Sequence, residues 1–241
     1  MRARQRHLNA RHAGAMFVLD ARFINQADNT AVSTWADRSG NGYDVSQATG
    51  ANQPTLQTGE VGGSSIVRFD GSNDYLVRSD SGFPTGNLTI IGVHKQNNTI
   101  STEEYRCILH YGQASSGAAV FDSYGENAVW GSEAFGISQY GDQISIVSAT
   151  QRYIIGSVYR SGTSYGVRID GGAPATKTMT TATATYGANG LTVGSFNASL
   201  SYGSYLNGDI GTVLLFNSNL SDSLRRRFER GCGLTWKIAC S

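Results

Sequence analysis

The sequence predicts an all-β fold: a two-sheet antiparallel sandwich with one short C-terminal helix. Three observations carry this. Apolar and polar residues alternate over short runs along most of the chain, which is the period of a half-buried strand. Thirty glycines against three prolines supply the tight turns that join many short strands. A capped helical pattern occurs once, after Ser221. Fifteen candidate strands require two sheets, and two antiparallel sheets bury their apolar faces against each other.

In chain order the candidate strands are 15–20, 43–47, 64–69, 74–78, 87–95, 105–111, 118–123, 127–131, 134–139, 143–148, 152–159, 164–170, 175–181, 190–195 and 208–216. The runs Leu88-Thr89-Ile90-Ile91-Gly92-Val93 and Arg152-Tyr153-Ile154-Ile155-Gly156-Ser157-Val158-Tyr159 are apolar enough to lie centrally in a sheet. Arg168-Ile169-Asp170-Gly171-Gly172 reads as a strand entering an Asp-Gly hairpin. Strand phase puts Phe69, Ile90, Ile154, Val213 and Leu215 in the core. The helix takes Ser221 as N-cap and Gly231 as the residue after its end. Leu224 and Phe228, four apart, dock one face, and the arginines take the other.

Residues 15–241 form one sandwich domain, with no repeat and no linker, preceded by a basic arm over 1–14. The arm carries Arg2, Arg4, Arg6 and Arg11 and no acid, and its large apolar side chains are Met1 and Leu8, too few to fold alone. Arg225, Arg226, Arg227 and Arg230 form a second basic cluster. Both clusters are candidate protein-docking sites; for the second, favourable alignment with the helix dipole is the alternative. A net charge of +1 gives no global attraction to nucleic acid or membranes. No segment approaches the ~20 apolar residues of a membrane span, and the N-terminus lacks an apolar run of signal-peptide length. Synthesis in the cytoplasm without a signal peptide is expected. Cys107, Cys232 and Cys240 are an odd number, which argues against a full disulfide framework, a Cys232–Cys240 pair across a short loop being the alternative.

Two runs answer each other across the chain. Arg68-Phe69-Asp70-Gly71-Ser72-Asn73-Asp74-Tyr75-Leu76 reads as strand, turn and strand, with Gly71 where φ turns positive. Asn207-Gly208-Asp209-Ile210-Gly211-Thr212-Val213-Leu214-Leu215-Phe216-Asn217 reads as a closing strand, followed by Leu220-Ser221-Asp222. Together with Trp35-Ala36-Asp37-Arg38-Ser39-Gly40-Asn41-Gly42, these runs resemble the laminin-G-like branch of the concanavalin A-like lectin and glucanase superfamily. The resemblance frames roughly residues 15–238 and implies the jelly-roll sandwich. It also implies a calcium ion at the sandwich rim, for which Asp70, Asp74 and Asp209 are candidate ligands, provided that first and last strands lie together. The alternative is that Asp70, Asn73 and Asp209 cap their own turns. Otherwise no cofactor is expected. A second oxygen-rich loop, Asp37 to Gly42 with Asp44, has calcium-loop spacing but Ala48 where a late glutamate is needed; its alternative is an Asx turn.

Six tyrosines directly precede glycine: Tyr111, Tyr124, Tyr140, Tyr165, Tyr186 and Tyr202. A rigid ring with a hydroxyl at a strand end suits glycan contact, and Trp130 joins Tyr111, Tyr124, Tyr140, Tyr165 and Tyr202 as a candidate; burial in the core is the alternative. Enzymes of this superfamily carry E-x-D-x-x-E on one strand or a Q-(I/V)-H phrase. Here none of the six glutamates begins the first, and Gln143-Ile144-Ser145 lacks the histidine of the second. The expectation is a non-catalytic, lectin-like module displayed in many copies on a virion surface, of the kind found in bacteriophage particles. It would bind host-surface glycans and dock on capsid or tail proteins through the arm. The alternatives are a capsid decoration or cement protein without glycan binding, and a polysaccharide lyase or hydrolase with a divergent site.

Overall fold

The computed structural model describes residues 14–79, 87–97, 105–113, 117–124, 129–131, 152–178, 190–198, 201–203 and 205–241. The arm's arginines, candidate strands 134–139 and 143–148, Tyr140 and Tyr186 lie outside these residues. The strands are β1 Phe17–Asp20, β2 Thr30–Ala31, β3 Thr34–Trp35, β4 Val45–Ser46, β5 Thr55–Gln57, β6 Ile66–Asp70, β7 Leu76–Arg78, β8 Leu88–Gln96 and β9 Tyr105–Gln113. They continue as β10 Gly117–Tyr124, β11 Val129–Gly131, β12 Ile154–Ser161, β13 Ser164–Ile169, β14 Ala175–Thr178, β15 Leu191–Val193, β16 Phe196–Ala198, β17 Ser201–Gly203 and β18 Asn207–Phe216. One helix, α1, spans Asp222–Trp236.

All pairings are antiparallel and fall into two main sheets. The first runs β14-β13-β12-β8-β18-β6-β5-β2, with β1 beside the C-terminal half of β18. The second runs β11-β10-β9-β15-β7-β4-β3, and β16 pairs with β17 separately. The two long motifs of the sequence are therefore neighbours: β6 and β18 pair, with Asn207 opposite Asp70 and Asp209 opposite Arg68.

Facing residues of both sheets make one core, including Trp35, Val45, Leu76, Leu109 and Val193 from the second sheet against Phe17, Phe69, Ile90, Ile154 and Val213 from the first. Phe69, Ile90, Ile154, Val213 and Leu215 are all buried as strand phase predicts. A second apolar cluster lies on the opposite face of the first sheet, where Ile66, Ile91, Val93, Ile155, Leu214 and Phe216 receive Phe228, Cys232 and Trp236 of α1. A sheet buried on both faces explains the near-continuous apolar runs of β8 and β18.

Between Ile210 and Thr212 the register of β18 against β8 shifts by one residue. The bulge at Gly211 flips the phase, so that Ile210 and Val213 both reach the core. It also admits the helix: a Cβ on Gly211 would lie 2.7–3.0 Å from the Trp236 ring.

The helix departs from expectation at its end. Ser221 caps it, its Oγ accepting from the Leu224 N–H at 3.4 Å. The helix then runs through Gly231 and stops at Lys237, which takes φ of 54°. Extension to Trp236 completes a buried stripe of Arg225, Phe228, Glu229, Cys232, Gly233 and Trp236, and this outweighs the low helix propensity of two glycines.

Candidate functional site

The turn after β6 is built from its own side chains. Gly71 has φ of 81°. Asp70 Oδ1 accepts from the N–H groups of Ser72 at 2.7 Å and Asn73 at 3.2 Å, the Asx-turn arrangement. The Asp74 carboxylate turns back and accepts from the Asp70 N–H at 3.0 Å. Burial pushes the Asp74 carboxyl up to about 6; the Asp70 N–H opposes this and the Asp70 charge adds to it. Beyond the turn, Tyr75 donates its N–H to the Asn52 carbonyl at 3.2 Å, and Asn73 Nδ2 donates to Asn52 Oδ1 at 3.2 Å. The Tyr75 ring stands 6.4 Å from that of Tyr205 at 37°. Both tyrosines and both asparagines are half-buried, while Asp70 is exposed. The sandwich thus presents two aromatic rings, two amides and a carboxylate at this turn, with Asn52 and Tyr205 brought to it from other segments. Sequence reasoning missed Tyr75 and Tyr205 as a pair, because nothing local to either residue reports the other.

Asp209 belongs to a different group. It is fully buried and accepts from Arg68 Nε at 2.7 Å, Arg68 Nη2 at 3.0 Å and the Tyr153 hydroxyl at 2.7 Å. Hydrogen bonding to Asp209 raises the Arg68 guanidinium, and burial together with that same carboxylate raises the Tyr153 phenol. The structure therefore does not bring Asp70, Asp74 and Asp209 to one point. Asp70 and Asp74 serve their own turn, and Asp209 closes a charge-assisted cluster with Arg68. Among the described residues no three His, Cys, Asp or Glu side chains gather where they could hold a metal ion.

The loop from Asp37 to Asp44 resolves the same way. Asp37 Oδ1 accepts from the N–H of Val18 at 2.9 Å and of Ser39 at 2.8 Å. Its Oδ2 accepts from Ser39 Oγ at 2.6 Å and the Tyr43 N–H at 3.0 Å. Four donors on one carboxylate make it the pin of a turn, tying the loop to β1.

The tyrosines divide. Tyr165 is fully buried in the inter-sheet core, which removes it from any rim; it shares the inward phase of β13 with Val167. Tyr111, Tyr124 and Trp130 stand on β9, β10 and β11, three adjacent strands at one edge of the second sheet. In register Tyr124 lies opposite Tyr105 and Val129, and Trp130 opposite Ser123. Tyr202 is on β17. The two histidines of the sandwich are interior: burial pushes His94 down to about 3 and His110 to about 4, so both imidazoles are neutral above those values.

The arginine cluster of α1 also splits, contrary to the expectation that all four occupy one outer face. Arg225 is buried, its guanidinium 3.5 Å from the Tyr159 ring centroid and donating to the Leu220 carbonyl at 3.1 Å. Arg226 is half-buried and bonds Asp222 at 2.9 Å. The physical reason is Asp222: three and four residues before these arginines, its carboxylate pulls both inward, along with Arg168 of β13 at 2.5 Å. Beneath them, Glu229 accepts from Ser157 Oγ at 2.5 Å and Arg168 Nη1 at 3.2 Å, with Glu229 and Arg168 each 1% exposed. Arg227 and Arg230 face solvent.

No family model matches the chain, and no curated protein matches its sequence. Solved structures do match its fold. A botulinum neurotoxin serotype D binding domain is similar with a TM-score of 0.65 at 12% identity, covering 92% of this chain and 53% of that one. Trypanosoma rangeli sialidase in complex with sialic acid gives 0.61 at 14% identity, covering 95% and 34%. A GH54 α-L-arabinofuranosidase soaked with a cyclic sulfate inhibitor gives 0.59 at 12% identity, covering 83% and 50%. This chain spans between a third and about half of those proteins. At such identity the likeness establishes the β-sandwich. Two of these neighbours are glycosidases, and the third is a binding domain.

Proposed function

We propose that this chain is a non-catalytic, lectin-like sandwich that binds glycan at the rim formed by Tyr75, Tyr205, Asn52, Asn73 and Asp70. The observation that carries the reading is the pair of half-buried tyrosine rings 6.4 Å apart, beside two linked asparagine amides. Aromatic faces receive the C–H side of a sugar ring, and amides and carboxylates receive its hydroxyls. Support for a binding rather than catalytic role comes from four acids among the described residues: Asp209 and Glu229 are buried and bonded to arginines and hydroxyls, and Asp37 and Asp74 accept from backbone amides. The sequence resemblance supplies the wider setting, display in many copies on a virion with the arm docked on capsid or tail proteins. Multivalency raises weak rim contacts by ~10²–10⁴ in avidity.

A glycan array probed with the chain and with Tyr75→Ala, Tyr205→Ala and Asn73→Ala tests this. Binding that each substitution reduces, at unchanged melting temperature, supports the rim. Binding untouched by all three, or no binding to any glycan on the array, overturns it. A glycosidase is the second reading, favoured by two of the neighbouring folds. Release of reducing sugar from any arrayed glycan after incubation would replace the first reading with this one.

A further inference from the structure

The outer face of α1 carries a second, independent surface. Ser223, Arg227, Arg230 and Leu234 are exposed and spaced four, three and four residues apart in one stripe, exposed Lys237 extends the stripe at the C-cap, and the helix's other exposed residue, Asp222, opens its first turn. Both acids of the helix are turned away from it: Asp222 bonds Arg168, Arg225 and Arg226, and Glu229 is buried against Arg168 and Ser157. The stripe is therefore cationic without an internal counter-charge. Alignment with the helix dipole accounts for Arg230 and Lys237 near the C-terminus. It does not account for Leu234, which is 68% exposed between them.

Among the described residues only one other large apolar side chain is exposed, Phe23 at 57%, and it stands at the same end of the helix. The Arg22 guanidinium lies 5.6 Å from the Phe23 ring centroid and 5.5 Å from that of Trp236 in the last turn of α1. Arg38 stacks on Phe23 at 4.5 Å. Apolar side chains with arginines among and around them match the anatomy of a protein interface, an apolar core in which Phe and Arg are enriched and a polar rim.

We propose that the outer face of α1, with Leu234 and Phe23 as anchors and Arg227, Arg230, Lys237 and Arg38 around them, docks an acidic, amphipathic segment of another protein. Charge complementarity selects the acidic partner. The two apolar anchors select a protein over a nucleic acid, whose phosphates would use the cations and leave Leu234 unmatched.

The test uses the full chain and a synthetic amphipathic peptide with glutamates and leucines at helical spacing. Its scrambled isomer of equal charge and a single-stranded oligonucleotide serve as comparisons, with titration by fluorescence anisotropy. The ordered peptide is expected to bind at least tenfold tighter than its isomer. Leu234→Ser and Phe23→Ser should each abolish that preference, while Arg227→Ser with Arg230→Ser weakens both peptides, all at an unchanged melting temperature. Equal binding of isomer or oligonucleotide, a preference that survives Leu234→Ser and Phe23→Ser, or no peptide binding overturns the proposal. So does a dimer by sedimentation that Leu234→Ser dissociates, because the occupant is then a second copy of this chain.

Discussion

Replacing Arg168 with Met tests the polar seam between helix and sheet. Arg168 is 1% exposed and holds Glu229, also 1% exposed, at 3.2 Å, and Asp222 at 2.5 Å. Arg168→Met keeps much of the aliphatic stem but strands the Glu229 carboxylate in the interior with Ser157 Oγ as its remaining hydrogen-bond donor. Breaking a buried pair by removing one partner costs about 3–5 kcal/mol. For a chain of this size each 1 kcal/mol moves the melting temperature by about 2–4 °C, so the loss is on the order of 10 °C. The assay is thermal unfolding of four proteins: the parent, Arg168→Met, Glu229→Gln and the double variant. If the penalty is a stranded charge, adding Glu229→Gln to Arg168→Met restores roughly 1–3 kcal/mol, because the buried group left behind is then neutral. Two mutations that together do less harm than one is the signature. A loss below about 1 kcal/mol for Arg168→Met, or further destabilisation in the double variant, would refute the reasoning.

Asp74→Asn is expected to stabilise the chain above neutral pH. A carboxyl raised from 3.8 to about 6 favours the folded state while protonated, so its contribution is present below about 4 and lost as pH rises through about 6. The melting-temperature gap between variant and parent should open between pH 4 and 7, and a gap that closes instead disproves the assignment. Gly211→Ala places a methyl 2.7–3.0 Å from the Trp236 ring and should cost about 1–3 kcal/mol by overpacking. Trp236 emission should shift to the red as the helix lifts, and an unchanged spectrum and stability would show that the bulge has room to spare. EDTA should leave the melting curve in place, since Arg68, Tyr153 and backbone amides already occupy the carboxylates of Asp209, Asp70 and Asp74. A drop of several degrees, reversed by calcium, would point to a cation bound to the native state.

The sheets were legible because a strand writes its environment into every second residue. Phe69, Ile90, Ile154, Val213 and Leu215 are all at most 2% exposed, as their phase requires. Thr30–Ala31, Thr34–Trp35 and Thr55–Gln57 escaped because two or three residues carry no period. Tyr165 was recoverable: its phase matches Val167 two residues on, and an inward Val predicts an inward Tyr. The helix was legible only at its start. Its buried stripe keeps helical spacing, yet Arg225, Glu229 and Gly233 occupy three of its six positions, so a run of apolar residues does not mark where it ends.

That stripe also explains why charge patterns in this chain mislead when read locally. Asp222 and Glu229 look like ordinary helix-surface acids, and Arg168 like the outward residue of a strand. Glu229 and Arg168 become interior because the first sheet is covered on both faces, a property of the whole topology and not of any window of sequence, while Asp222 meets Arg168 from the exposed edge of the seam. Once the helix lies on that sheet, any ionic residue in the seam must find its opposite there or incur the cost of desolvation. Arg168, Ser157, Glu229, Asp222 and Arg225 are matched in this way. Arg227, Arg230 and Leu234 lie one face round the same helix, where no such demand operates. Residues that the fold does not consume are the ones left to meet something else.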